Sequence, residues 1–435
     1  MRALLLKLLF SLMLTLIILG TVLTALFWYV FNERNVEPRA AFRQAQKKTA
    51  FKPSEPCKSC GDSIIDKLVE HYSHSWKKQE DNSQKFRDLL SSDCHGLTKA
   101  IVTQTNTPLG SKVMYDGEKR KPLQVTPEIF STFIKEQPFG NKSWDTCAVV
   151  GNGGILVNSS CGEKIDSAQF VIRCNLPPLQ NDYKKDVGSK TDLVTANPSI
   201  LVEKYRSLSE RRRPFVESLR TYGDSLLLLP AFSYSHNTGV SLRALYSVQD
   251  FESPTRPVFF NPEYLQSLAR FWRSRGLKTV RLSTGFMVAS LALELCANVH
   301  MYGFWPFNQH PIRNQFLTNH YYDDRQSKKT VHAMPAEFEH LLRLHSQGVL
   351  RLHLGDCLPA SSAGCSTEMS WASASGLSVP AGVVSSSTLH NRSSQEPLAQ
   401  LDTRVPGLSG LWAAQDPKKG SEPRTKQRSH RKKQK

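Results

Sequence analysis

Residues 147–178 read CAVVGNGGILVNSSCGEKIDSAQFVIRCNLPP, and the fold turns on them. An apolar run, Ala148-Val149-Val150, enters a turn containing Gly151, Gly153 and Gly154. A second apolar run, Phe170-Val171-Ile172, ends in Arg173-Cys174-Asn175. Glycine lets a chain turn sharply and approach a phosphate closely, with peptide N–H groups available as donors. The segment reads as strand, turn and strand of an α/β nucleotide site, although the turn alone also fits a plain strand connection. The dinucleotide fingerprint needs a third glycine three places after the second. Leu156 stands there, so a membrane-anchored dehydrogenase, which would also need an acidic ribose-binding residue, is the weaker rival reading.

Outward from this segment, short apolar runs alternate with helical patterns. The strand candidates are 148–150, 170–172, 193–195, 226–229, 299–302 and 349–353. Residues 265–273, 286–296 and 335–344 carry helical apolar spacing. Such alternation predicts a single α/β catalytic domain over 91–357, a mostly parallel sheet with helices on both faces.

The chain ends differ in character. Residues 8–31 are 24 positions without a charge, about 36 Å as a helix and enough to cross a bilayer. They end in Phe27-Trp28-Tyr29, which suits an aromatic interfacial anchor better than a cleaved signal. The expectation is a cytoplasmic tail at 1–7, a transmembrane signal anchor at 8–31 and a luminal stem at 32–90, interrupted by Pro38, Pro53 and Pro56. Charge opposes that orientation, since Arg2 and Lys7 precede the span while Arg34, Arg39, Arg43, Lys47 and Lys48 follow it. Nine cysteines and Asn-x-Ser sequons at Asn141, Asn158 and Asn391 favour an oxidising lumen for the C-terminal bulk, as in a single-pass type II Golgi membrane protein. Cys57-x-x-Cys60 has no second CxxC to complete a metal site and reads as a stem disulfide, or as two thiols paired elsewhere. Residues 358–435, rich in Ser, Ala, Gly and Pro and then basic, are expected to be disordered. The formal charge of +18 does not indicate nucleic acid, because residues 418–435 hold nine Lys/Arg and one Glu, a net +8 at one end.

Three clusters follow the opening segment. Arg281-Leu282-Ser283-Thr284-Gly285 opens a helix and offers hydroxyls and N–H groups to an anion, or simply caps that helix. His320-Tyr321-Tyr322-Asp323 comes next. His332 then stands five residues before Glu337, with Pro335 suited to a first helical turn. In order, type and spacing these clusters and the opening segment resemble the four sialylmotifs of animal sialyltransferases (glycosyltransferase family 29). The motifs are a large one from Cys147 to about Ser199, a small one from about Arg281 to Gly303, then HYYD and H-x4-E. Arg-Cys-Asn-Leu-Pro-Pro, Asp-Val-Gly-Ser-Lys and Tyr-Gly-Phe-Trp-Pro-Phe are similar to the α2,8-sialyltransferase branch.

The resemblance implies a variant GT-A, Rossmann-like fold and transfer from CMP-sialic acid to the 8-hydroxyl of a terminal sialic acid, with inversion and without a metal or cofactor. It implies donor contacts at Asn152, Asn175, Ser283, Thr284, Gly285 and Trp305, phosphate support from His320, and His332 as the general base. It also implies the disulfides Cys147–Cys296 and Cys161–Cys357, leaving Cys174 a buried thiol, with Cys365 close enough to Cys357 to compete for Cys161. Asn141 and Asn158 are the expected glycosylation sites. The partners it implies are sialylated glycans on glycoproteins or glycolipids and the Golgi membrane, with no nucleic acid. Polymer-forming members carry a basic stretch before the large motif. Here residues 115–146 hold five basic and five acidic side chains, so one or a few sialic acids per acceptor are expected. A catalytically inactive sialic-acid-binding or scaffolding member is the alternative, and His320, His332 and the Ser-Thr-Gly turn speak against it. A tail as long as 358–435 departs from the family.

Overall fold

The apolar runs become strands because Val, Ile, Leu and Phe pack well on a pleated surface buried on both sides. The structure is a computed structural model that describes residues 12–25, 68–70, 72, 76–119, 122–140, 142–313, 315–325 and 332–357. Seven strands form its main sheet: β1 Trp144–Val150, β2 Phe170–Arg173, β3 Leu193–Thr195, β4 Leu226–Leu229, β5 Arg256–Phe259, β6 Cys296–Tyr302 and β7 Arg351–His353. Every neighbouring pair is parallel, and the order is β5-β4-β3-β2-β1-β6-β7. The expected α/β class with a mostly parallel sheet is the one found.

Successive residues along each strand feed opposite faces. Cys147, Val149, Ile172, Val299 and Met301 join the core beneath helices Glu80–Cys94, Pro262–Ser274, Thr284–Leu295 and Met334–Ser346. Ala148, Val150, Val171, Leu227 and Tyr302 join the opposite core with helices Pro198–Glu203, Arg212–Leu219 and Ser235–Asp250. Thr284–Leu295 is mostly apolar and buried from Phe286 to Leu295, as suits a helix between the sheet and outer helices.

Three elements differ from the sequence reading. β5 contains Pro257, which breaks the apolar pattern and is tolerated because the strand lies at the sheet edge. The helix Ser235–Asp250 mixes small and polar residues on its buried side, so no apolar stripe marks it. The packed domain also begins before residue 91. Helix Glu80–Cys94, expected as stem, buries Phe86, Leu90 and Cys94, and Leu68 is 1% exposed. Its polar composition hides a stripe only one side chain wide.

Residues 12–25 are helical, within a separate unit spanning Met1–Lys58. Among the described residues no helix is long and apolar enough to cross a membrane. The rest of the expected anchor, 8–11 and 26–31, lies outside them, as do Cys57, Cys60, Cys365, Asn141, Asn391 and the tail from 358.

Both implied disulfides form. Cys147–Cys296 joins β1 to β6 (Cα–Cα 5.9 Å), and Cys161–Cys357 joins the loop after β1 to the chain beyond β7 (Cα–Cα 4.7 Å). Their sequence separations of 149 and 196 residues place them where loop-closure entropy is largest, nominally about 5 kcal/mol each.

The exits of β1 and β6 touch. Gly303 has φ +74°, and a Cβ there would lie 2.6 Å from Leu156 Cδ1 and 2.8 Å from the Gly151 carbonyl oxygen. Gly303→Ala is expected to cost roughly 2 kcal/mol through backbone strain and overlap. Denaturant midpoints measure it, and an unchanged midpoint would show that the two exits can part freely.

Candidate active site at the carboxyl ends of the strands

The chain leaves β1 towards β2 on one side of the sheet, and β6 enters on the other. A crevice at the carboxyl ends of β1 and β6 is the place where open α/β sheets bind ligands. The glycine turn lies there, though its glycines serve a different end from the one its sequence suggested. Gly151 N–H donates to Tyr302 O (2.8 Å) and Gly153 N–H to Gly303 O (3.0 Å). A Cβ on either residue would stand 2.7 Å from Gly303 O. These two N–H groups are spent on the neighbouring strand exit and are not available to a phosphate.

Asn152, between them, faces the HYYD segment. Its Nδ2 donates to Cys174 O (2.8 Å), its backbone carbonyl accepts from Tyr321 N–H (2.9 Å), and its Oδ1 is buried with no hydrogen-bond partner among the described residues. Orphaned buried acceptors are rare in folded proteins and mark positions where a ligand donor can arrive. Asn175 follows β2 with φ 64°, a conformation Asn tolerates better than most residues. Its N–H donates to Thr195 Oγ1 (2.8 Å) and its Oδ1 accepts from Asn197 N–H (2.9 Å). Asn197 Oδ1 in turn accepts from Thr284 Oγ1 (3.0 Å), so one chain of bonds runs from the end of β2 to the Ser-Thr-Gly turn.

That turn is a helix start. Ser283 Oγ accepts from Phe286 N–H (3.2 Å), and Ser283 N–H donates to Glu337 Oε1 (2.7 Å). The last motif's glutamate therefore supports the small motif from below, a role the sequence did not disclose. A Cβ at Gly285 would come within 2.9 Å of the Phe304 ring and 3.9 Å of Cys174 Sγ. Burial pushes the Cys174 thiol up to about 12, which suits an inert packing group. Trp305 is buried, edge-on to Phe307 and Phe338, with its indole N–H donated to Gln309 O (2.7 Å). His320 stacks on Tyr322 (5.2 Å), and its Nδ1 lies 2.7 Å from Asp323 Oδ1.

His332 is set by one contact. Its Nδ1 lies 3.0 Å from the Arg281 carbonyl oxygen, which can only accept, so Nδ1 carries the proton and the Nε2 lone pair is left to act as a base. Arg281 is itself clamped: Nη1 on Asp116 Oδ2 (2.5 Å), Nη2 on Ser233 Oγ (2.6 Å), and the guanidinium over the Tyr234 ring (5.4 Å). A cavity of about 490 Å³ opens beside it, lined by Asn197, Thr284, Arg281, His332, His236 and Asn237 among others. Of the eight expected site residues, Thr284 and His332 line this cavity. Asn152, Asn175, Ser283, Gly285, Trp305 and His320 lie outside its lining. Asn197, Asp116 and Asn237 were missed. Asn197-Pro198 at a helix start was the only local signal, since Asp116 and Asn237 gain their meaning from partners far along the chain.

Residues 101–349 match glycosyltransferase family 29 (sialyltransferase). The chain belongs to that family. It is 46% identical over 282 residues to Alpha-2,8-sialyltransferase 8F of Mus musculus, covering 65% of this chain and 71% of the relative. It is 45% identical over the same length to Alpha-2,8-sialyltransferase 8E of Homo sapiens, covering 65% and 75%. Alpha-N-acetylneuraminide alpha-2,8-sialyltransferase of Xenopus tropicalis is 44% identical over 289 residues, covering 66% and 83%. Among solved structures, a mammalian sialyltransferase in complex with Gal-beta-1-3GalNAc-ortho-nitrophenol is similar over 69% of this chain and 98% of its own, at 18% identity and TM-score 0.35. Family membership makes the chain a sialyltransferase. Asn158 is exposed beside the Cys161 staple, with its N–H on Asp186 Oδ2 (2.8 Å). Among the described residues no group of three or more His, Cys, Asp or Glu is placed to hold a metal.

Two buried acids bracket the central helix of this sialyltransferase. Burial raises Glu337, beneath the helix start, to about 7, and it raises Glu294, near the helix end, to about 7 as well. A carboxyl raised on folding contributes stability below its unfolded pKa, near 4.5, and loses it as pH climbs through the folded value. Compared with wild type, Glu294→Gln/Glu337→Gln is expected to gain stability progressively from pH 5 to 8, by on the order of 3 kcal/mol per site at most. Taking the difference between the two proteins cancels the opposite slope of histidines such as His300, His340 and His345, lowered to about 4 by burial. Parallel thermal unfolding profiles across that range would refute the assignment.

Proposed function

We propose that the chain transfers sialic acid from CMP-sialic acid to the 8-hydroxyl of a terminal sialic acid on glycoprotein or glycolipid glycans, adding one or a few units with inversion and without a metal. His332 carries the reading: its tautomer is set by the Arg281 carbonyl, and it lines one cavity together with Thr284. Asn152, Asn175 and Trp305 follow β1, β2 and β6, and the cavity adjoins residues after β3, β4 and β5. In this reading the donor occupies the first group and the acceptor enters the cavity, with His332 between them.

His332 Nε2 takes the proton from acceptor O8 as the O8–C2 bond forms, and the bond from C2 to the phosphate oxygen breaks on the opposite face to release CMP. The departing phosphate gains negative charge. His320 stabilises that charge as it develops, beside the donor-site turn of Ser283, Thr284 and Gly285. The 46% identity over 282 residues to an alpha-2,8-sialyltransferase supports the linkage, and the charge balance of residues 115–146 supports short products. The apolar segment 8–31 supports a single-pass type II Golgi protein with its catalytic domain in the lumen.

In the full-length chain, His332→Ala is expected to lower kcat by about 10²- to 10⁴-fold while CMP affinity stays within a few-fold of wild type. Turnover with CMP-sialic acid and a panel of sialylated lipids and glycoproteins measures it, and sizing the products tests chain length. Near wild-type turnover removes His332 as the base.

A further inference from the structure

The cavity beside His332 is lined by an amide side chain that no other described residue engages. Asn237, in the first turn of helix Ser235–Asp250, is 5% exposed and lines the cavity. Its backbone N–H donates to Tyr234 O (2.9 Å), and among the described residues its carboxamide has no partner. Unlike the Asn152 oxygen, its polar atoms are not sealed in the core, so they stay open to a ligand that enters the cavity. Charges around the cavity are already matched. Arg281 is paired with Asp116 and Glu203 with Arg325, and the helix-start N–H of Ser235 is taken by Glu118 Oε1 (2.6 Å). The group left to recognise a ligand is therefore neutral, a donor of two hydrogen bonds and an acceptor of others, which suits hydroxyls better than a carboxylate.

A terminal sialic acid presents its reacting O8 on a glycerol side chain, flanked by hydroxyls at C7 and C9. We propose that Asn237 is a specificity-determining residue that holds a hydroxyl flanking O8 of the acceptor sialic acid and so aims O8 at His332. The proposal rests on the α2,8-transfer reading above. His236 and Tyr234, stacked at 5.5 Å, form the adjoining wall of the same cavity.

The test uses the full-length chain in detergent with CMP-sialic acid and three acceptors: sialyllactose and its 7-deoxy and 9-deoxy forms in the terminal sialic acid. Wild type is expected to lose about tenfold or more in kcat/KM on one deoxy acceptor. Asn237→Ala is expected to lose a similar factor on sialyllactose and nothing further on that deoxy acceptor, with CMP affinity within twofold of wild type. Losses that multiply on both deoxy acceptors, or a loss confined to CMP affinity, overturn the assignment. If Asn237→Ala shows no CMP-dependent thermal shift, the near-isosteric Asn237→Asp is compared in its place under the same criteria. A wild-type chain that transfers to no sialylated acceptor overturns the reading of function and this assignment together. An active wild type with multiplicative losses overturns Asn237 alone.

Discussion

The contact between the exits of β1 and β6 is the constraint on which the carboxyl edge of the sheet depends. Gly151 and Gly153 donate to Tyr302 and Gly303, and the Gly303 oxygen fills the space that a side chain at either position would need. Two parallel strands leave the sheet here without diverging. Asn152 is thereby lifted between them with its amide on the β2 exit, its carbonyl on HYYD and its Oδ1 unbonded. The Cys147–Cys296 bridge joins the same two strands further back, so β1 and β6 are held both by a covalent link and by close backbone contact.

The second support is the buried helix Thr284–Leu295. Its start presents the Ser-Thr-Gly turn to the crevice, and Glu337 receives the N–H of Ser283 from beneath. Arg281, just before that helix, passes its carbonyl to His332 while its guanidinium is committed to Asp116 and Ser233. Motifs that are separate in the chain become one assembly, because each supplies the hydrogen-bond partner that another lacks. Glu337 stands five residues after His332. Its contacts make it a support for the turn that carries Ser283 and Thr284.

The fold was legible where the pattern was strong. Six strands and three helices were apparent from apolar runs of the right length, and the family from four short clusters. β5 was missed because Pro257 interrupts it, and helix Ser235–Asp250 because its buried side is built of Asn, Thr, Ser and Ala as much as of Val and Leu. Most of helix Glu80–Cys94 was read as stem because three buried apolar residues among charges make too narrow a stripe to see. At the site, the residue types were legible and their partners were not.

From the sequence alone followed the class of sheet, the order of the motifs, the pairing of the four disulfide cysteines through family resemblance, and the identity of the histidine to examine. Those depend on local pattern and on motif order, both of which are written along the chain. Only the tertiary structure decided that the glycines serve strand packing and that His332 is protonated on Nδ1. Only it decided that Glu337 supports a helix start and that Asn237 faces the cavity unbonded. Each of these depends on which distant group stands within about 3 Å, and hydrogen bonding at that range is a property of the folded chain.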